Sequence, residues 1–161
     1  MLPVILCLFL FFSCDSHQPQ PSETIHLEQA DGELQRIAKE ARSTLDFFFR
    51  YQSQAGAGEH GFYVKYILAA DDGSGIDAEQ VWLTGIKFKN SNLYGDLANT
   101  PLYVQGLRKG STIMISVDSI VDWMYIREGK IIGGYSIKYL LEKIPESRRS
   151  DRQRELLSMY E

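Results

Sequence analysis

The sequence predicts an α+β domain, on three observations. Apolar residues recur at three- and four-residue intervals from Gly32 to Gln52. Apolar and polar residues then alternate in short runs between Gly61 and Ile132, and helical spacing returns after Ser136. The expected architecture is a long N-terminal helix packed on a curved antiparallel sheet of about five to seven short strands, with two short helices at the end. Glycine corners point to a sheet coiling toward a small open barrel. Along the chain, residues 1–13 read as a signal peptide, 14–30 as a flexible tether and 31–161 as one domain.

The segment before the domain has its own grammar. An apolar run from Leu2 to Phe12 ends at Ser13, directly before Cys14, and polar sequence spaced by Pro19 and Pro21 follows. About a dozen apolar residues fall short of the roughly 20 that cross a bilayer as a helix. The order resembles the lipobox of bacterial lipoproteins, in which the Cys14 thiol would take a diacylglyceryl group and cleavage after Ser13 would make it the new amino terminus. Phe11 stands where that pattern usually has Leu, and no Lys or Arg precedes the apolar run. The competing reading is a simple secretory peptide with Cys14 incidental. The lipoprotein reading places the domain in the bacterial cell envelope, on the periplasmic or outer side, with the membrane as a partner through Cys14.

Within the domain, Asp31 is placed to cap the first helix. Leu34, Ile37, Ala38, Ala41, Leu45, Phe48 and Phe49 form its apolar stripe, and the glycines of Ala55–Gly58 end it. Phe62, Val64, Tyr66 and Leu68 then alternate with Tyr63, Lys65 and Ile67, the pattern of a strand buried more deeply on one face. The loop 71–77 turns the chain. Val81 and Leu83 share a phase that Ile86 and Phe88 break, and Gly85 between them predicts a β-bulge. Asn90-Ser91-Asn92 is a turn into a strand at 93–98, and Leu102–Val104 reads as a short extended piece. Ile113, Ile115 and Val117 mark a strand, Ile120–Ile126 another, and Glu128-Gly129 a hairpin turn into Lys130–Ile132. After Gly133-Gly134, Ser136 is placed to cap a helix carrying Ile137, Leu140, Leu141 and Ile144, which Pro145 stops. Ser150 and Gln153 have capping-box spacing for a last short helix with Leu156, Leu157 and Tyr160.

The bulk numbers narrow the function classes. A formal charge of −4 gives no electrostatic footprint for nucleic acid. The two cysteines, Cys7 and Cys14, both lie in or at the signal, so packing alone must hold the exported domain. Removal of residues 1–13 leaves 148 of 161, enough for one domain with a sizeable core.

A search for chemistry mostly excludes. His17, His26 and His60 are scattered without metal-ligand spacing, so no metal or cofactor is expected. No serine stands in a Gly-x-Ser-x-Gly elbow. Glu59-His60 reads as a solvated loop. The acids of 71–77 miss the calcium-loop pattern, with Ile76 at its sixth place and Trp82 at its twelfth. What remains is Asp122-Trp123-Met124-Tyr125, with Gly133-Gly134-Tyr135 close in sequence. Asp122 shares strand parity with Ile120, Met124 and Ile126, and an acid on an apolar face needs partners. Two readings stand: Asp122 accepts hydrogen bonds from a loop or a row of backbone N–H groups, or Asp122, Trp123 and Tyr135 line a ligand cleft.

Ala98-Asn99-x-Pro101, Gly106-Leu107-x-x-Gly110, Ile120-x-Asp122-Trp123-Met124-Tyr125, Gly129-Lys130 and Gly133-Gly134-Tyr135 resemble the YegJ-like family of bacterial proteins, a domain of unknown function. The resemblance runs from about Ala38 to Leu141 and is densest between 98 and 135; Ser111 departs from it, where an Asp is expected after Gly110. It implies a single domain and brings no established catalytic residue, cofactor or substrate.

Together these readings predict a lipid-anchored envelope protein with a non-enzymatic domain that binds a protein or a small molecule. Asn99, Asp122, Trp123, Tyr125, Gly133, Gly134 and Tyr135 are the candidate contacts, and no residue is assigned a catalytic role. The alternatives are an envelope hydrolase using Asp122 with Lys65 or Tyr135, and an immunity-type inhibitor of a toxin.

Overall fold

A computed structural model describes residues 4–6, 25–27, 32–71, 73 and 75–160. The element order is β1 (Val4–Leu6), β2 (Ile25–Leu27), α1 (Gly32–Ser43), α2 (Leu45–Ser53), β3 (Glu59–Ala69), β4 (Ala78–Lys89), β5 (Asn92–Leu97), β6 (Thr112–Ile115), β7 (Ile120–Arg127), β8 (Lys130–Gly133), α3 (Tyr135–Lys143) and α4 (Asp151–Ser158). Cys14, Asp31 and the tether apart from β2 lie outside the described residues.

The fold class is α+β, as the sequence predicts. Strands β6-β5-β4-β3-β7-β8 pair in that order, all antiparallel, and among the described residues β6 and β8 do not meet, so the sheet is open. Beside them β1 pairs parallel with β4 and antiparallel with β2. One apolar cluster joins Ala41, Leu45 and Phe48 of α1 and α2 to Val64, Leu83, Trp123 and Tyr125 of the sheet. A second joins Ile137 and Leu141 of α3 to Trp82 and Ala98, with Leu156, Leu157 and Tyr160 packed against it. Both sides of the central strands are therefore covered, which explains why β7 reads apolar on both parities.

The long first helix is broken at Thr44. The Thr44 hydroxyl bonds back to the carbonyls of Glu40 and Ala41, and the Trp123 indole N–H donates to Ala41 O at 3.2 Å and to Thr44 Oγ1 at 3.0 Å. A side chain inserted into the helical ladder is a sufficient cause of a kink. The expected extended piece at 102–104 is a loop instead. The buried Glu79 carboxylate accepts from the N–H groups of Leu102 and Tyr103 at 2.8–3.1 Å, which takes the donors a strand partner would have used.

The bulge at Gly85 is present. Thr84 pairs with Asp96 and Lys87 with Tyr94, so two residues of β4 face one of β5, and Gly85 has φ +58°. Gly95 opposite leaves the room that Ile86 fills, since a Cβ there would meet the Ile86 side chain at 2.8 Å. Gly85→Val is expected to lower stability by about 1–3 kcal/mol, through left-handed backbone strain in a β-branched residue and a Cβ only 2.6 Å from the Asp96 carboxylate. Urea melts of the two proteins check this, and an unchanged midpoint would refute it.

The remaining termini behave as their residues dictate. Asn90 and Ser91 take positive φ in the β4–β5 turn, as do Glu128 and Gly129 in the β7–β8 turn. Ser150 and Gln153 complete a reciprocal capping box on α4. Beyond α4, Met159 O accepts from Ile131 N at 2.8 Å and Tyr160 bridges Ile131, so the chain's last described residues lie along β8.

Candidate functional site

The site is built on one cross-strand row. Asp122 of β7 stands opposite Lys65 of β3, Lys65 opposite Trp82 of β4, and Trp82 O accepts from Ala98 N just beyond β5. Side chains directly opposite across strands touch when they share a face. Lys65 Nζ accordingly lies 5.1 Å from the Trp82 ring centroid, a cation–π distance.

One expectation about this row is corrected. Asp122 does not share a face with Ile120, which belongs to the α1–α2 cluster with Trp123 and Tyr125. Lys65 pairs with Asp122 and the next residue, Tyr66, with Ile120, so Val121 is an extra residue on β7. A one-residue bulge reverses the parity on either side of it.

Above the row sits the start of α3. The chain leaves β8 through Gly133 (φ +78°) and Gly134 (φ +65°), and Gly134 N donates to Trp123 O at 2.8 Å. Gly134, with no side chain, occupies the N-cap position, and Ser136 lies inside the helix, not at its cap as its position in sequence predicts. The cap comes from across the sheet. Asp122 Oδ2 accepts from Ser136 N at 2.8 Å and from Ser136 Oγ at 2.6 Å, and Oδ1 accepts from Trp123 N at 2.8 Å. A carboxylate there satisfies an orphan helix donor and meets the positive end of the helix dipole. Lys65 Nζ completes the chain by donating to Ser136 Oγ at 2.8 Å.

The network is sealed: Asp122 is 0%, Lys65 1% and Ser136 4% exposed. Burial disfavours both charges. It pulls Lys65 down to about 8 against the attraction of Asp122, and it raises Asp122 above the usual carboxylate range against Lys65 and the Ser136 and Trp123 donors. Tyr160, whose hydroxyl donates to Gly134 O at 3.1 Å, is raised by burial and then by Asp122. Tyr135, more exposed, is raised by burial and then by Glu40 and Asp122.

The other candidate residues divide between the two faces. Trp123 and Tyr125 point away from Asp122, into the α1–α2 cluster. Tyr125 stacks between Tyr51 and Phe62 at 5.6 and 5.0 Å, and Trp123 meets Phe48 and Tyr135. Gly133 lies under the Trp123 ring. Asn99 follows the far end of the row; it is buried, and neither its amide nitrogen nor its oxygen has a hydrogen-bond partner among the described residues, which is also true of Trp82 Nε1. The structure thus joins Asp122 and the Gly134 turn to Lys65 and Ser136, and separates them from Trp123 and Tyr125. Ser136 is the member sequence reasoning missed, because a serine after two glycines and before an apolar stripe reads first as a cap. Chemically, the group is a proton-sharing chain from ammonium through hydroxyl to carboxylate. Among the described residues no three His, Cys, Asp or Glu side chains converge in a way that would hold a metal.

The chain is 30% identical over 158 residues to the uncharacterized protein YegJ of Escherichia coli, covering 98% of this chain and 99% of that one. It is 28% identical over 130 residues to a putative ankyrin repeat protein of Neisseria meningitidis serogroup B, covering 78% of this chain and 51% of the relative, so it spans about half the length of that protein. No solved structure matches. Residues 31–156 match the family described as "uncharacterized protein conserved in bacteria", DUF2314, and the chain belongs to that family.

Proposed function

We propose that this is a lipid-anchored cell-envelope protein whose domain works by binding a partner and not by catalysis. The observation that carries the binding half is the sealing of the Lys65–Ser136–Asp122 chain. Lys65 donates to Ser136, Ser136 donates to Asp122 from its hydroxyl and its backbone N–H, and all three are buried, so no face of the chain is open to a substrate. Asp122 in this reading holds helix to sheet. The relative from Neisseria meningitidis named for ankyrin repeats supports the same class, because the stretch similar to this chain is there about half of a longer chain, and such repeats commonly present binding surfaces.

The anchor half rests on the apolar run and Cys14. Cys14→Ser is expected to abolish incorporation of a fatty-acid analogue and to move the protein from the membrane to the soluble fraction, since serine cannot form the thioether. Wild type that stays unlabelled and soluble after export would refute the anchor.

A second reading is favoured by one observation: Lys65 Nζ and Ser136 Oγ are 2.8 Å apart, and Lys65 is shifted toward neutrality. That is the pairing of an activated serine nucleophile. A fluorophosphonate probe separates the two. The binding reading expects Ser136 to stay unmodified in the folded protein, and stoichiometric labelling at Ser136 would establish the hydrolase.

A further inference from the structure

The anchor reading leaves open how the domain sits against its membrane, and the β4–β5 hairpin offers an answer. Past the bulge at Gly85 the hairpin projects as Ile86 to Leu93, with its turn at Asn90-Ser91. Phe88, a residue short of that turn, is 62% exposed although it faces the side of Ile86 and Leu93. Its ring touches Phe49 of α2 at 5.3 Å, edge to face, so it is held in place rather than folded inward. Lys87 and Lys89 flank it, both exposed, and no acid occurs between Thr84 and Leu93. Strand alternation sends the lysines to the other side of the hairpin, so only an end-on approach brings all three residues to one plane. On α2 itself Arg50 lies over the exposed Phe47 ring at 5.4 Å, and Asp46 is the one acid of that helix.

An aromatic tip ringed by cations fits a bilayer surface of negative charge, where the ring enters the interface and the ammonium groups meet phosphates. The chain's overall charge of −4 makes this local reversal of sign informative. Cleavage after Ser13 would remove β1, the strand that β2 pairs with, and leave residues 15–31 as the link between Cys14 and α1, at most about 60 Å at full extension, so an anchored domain stays near the surface. We propose that the hairpin tip of Phe88, Lys87 and Lys89 seats on anionic phospholipid headgroups of the membrane that holds the anchor. This rests on the lipid-anchor reading.

The test uses the lipidated protein, extracted in detergent and reconstituted into nanodiscs of phosphatidylcholine alone or mixed with phosphatidylglycerol. A polarity-sensitive dye sits on Asn92→Cys. Seating predicts a blue shift and roughly tenfold protection from a soluble quencher in the mixed discs, absent in the neutral ones. K87E/K89E and F88S, all changes at exposed positions, should each remove the protection while the protein stays in the disc. No protection in either disc, or equal protection in both, overturns the seating while leaving the anchor intact. Protein that fails to enter discs at all overturns the anchor and the seating with it.

Discussion

Asp122→Asn is expected to cost about 3–5 kcal/mol at neutral pH, equivalent to a fall of roughly 10–20 °C in Tm. The loss exceeds that of a single hydrogen bond because Lys65 stays behind, buried, without its counter-charge. The new amide also turns a donor toward Ser136 or Trp123, both of which already donate to that position. The pH dependence identifies the mechanism. Lys65 titrates near 8 when folded and near 10.5 when unfolded, so the unfolded chain holds more protons between those values. Its contribution to stability therefore rises with pH across that window. Without Asp122 the folded value drops further, and the rise begins at lower pH. The gap between wild type and variant should be widest below the variant's lowered value, shrink as pH rises to 8 and stay narrow above it. Lys65→Met combined with Asp122→Asn should recover part of the loss, because no charge is then stranded. Denaturant melts at pH 6.5 and 9.5 measure all of this. A neutral-pH midpoint within error of wild type would show that Asp122 does not hold α3 to the sheet.

Gly133→Ala is the second large effect, about 2–5 kcal/mol. At φ +78°, its Cβ would stand 2.3 Å from Trp123 O and 2.8 Å from the Trp123 ring. Neither can move cheaply: the carbonyl accepts from Gly134 N, and the ring is wedged between α1 and Tyr135. Gly129→Ala provides the comparison, since Gly129 has nearly the same φ (+76°) and nothing within 4 Å of a Cβ. It should show backbone strain alone, about 1–2 kcal/mol. Equal losses at the two positions, measured by chemical denaturation, would mean that the Trp123 contact contributes nothing.

What the sequence revealed and what it hid follow from the range of each interaction. The Gly85 bulge was legible because the glycine and the phase shift it resolves lie within a few residues. The bulge at Val121 was not, since a valine in an apolar strand carries no mark, and Asp122 was consequently assigned the face of Ile120. The break in the first helix was hidden because its cause, Trp123, is 79 residues from Thr44 in sequence. Glu79 carries no mark in the sequence, because only the fold brings Leu102 and Tyr103 to its carboxylate. Asp122 could be recognised as an acid in need of donors. That those donors would be the first turn of α3, with Lys65 completing the chain, depended on the β3–β7 register.

The segment after α4 gives the sheet an asymmetry with consequences for how copies of the protein meet. At β8, Met159 and Tyr160 occupy backbone groups that would otherwise face outward. At another edge, among the described residues, β6 pairs with β5 alone and Met114 stands exposed beside it, while β2, the other strand with a single partner, is only three residues long. An uncovered strand is a template for another strand. Aggregation of this domain, when it starts from the folded state, should therefore proceed through β6. Loss of residues 159–160 would uncover the backbone groups of β8 and so offer a further template at that end of the sheet.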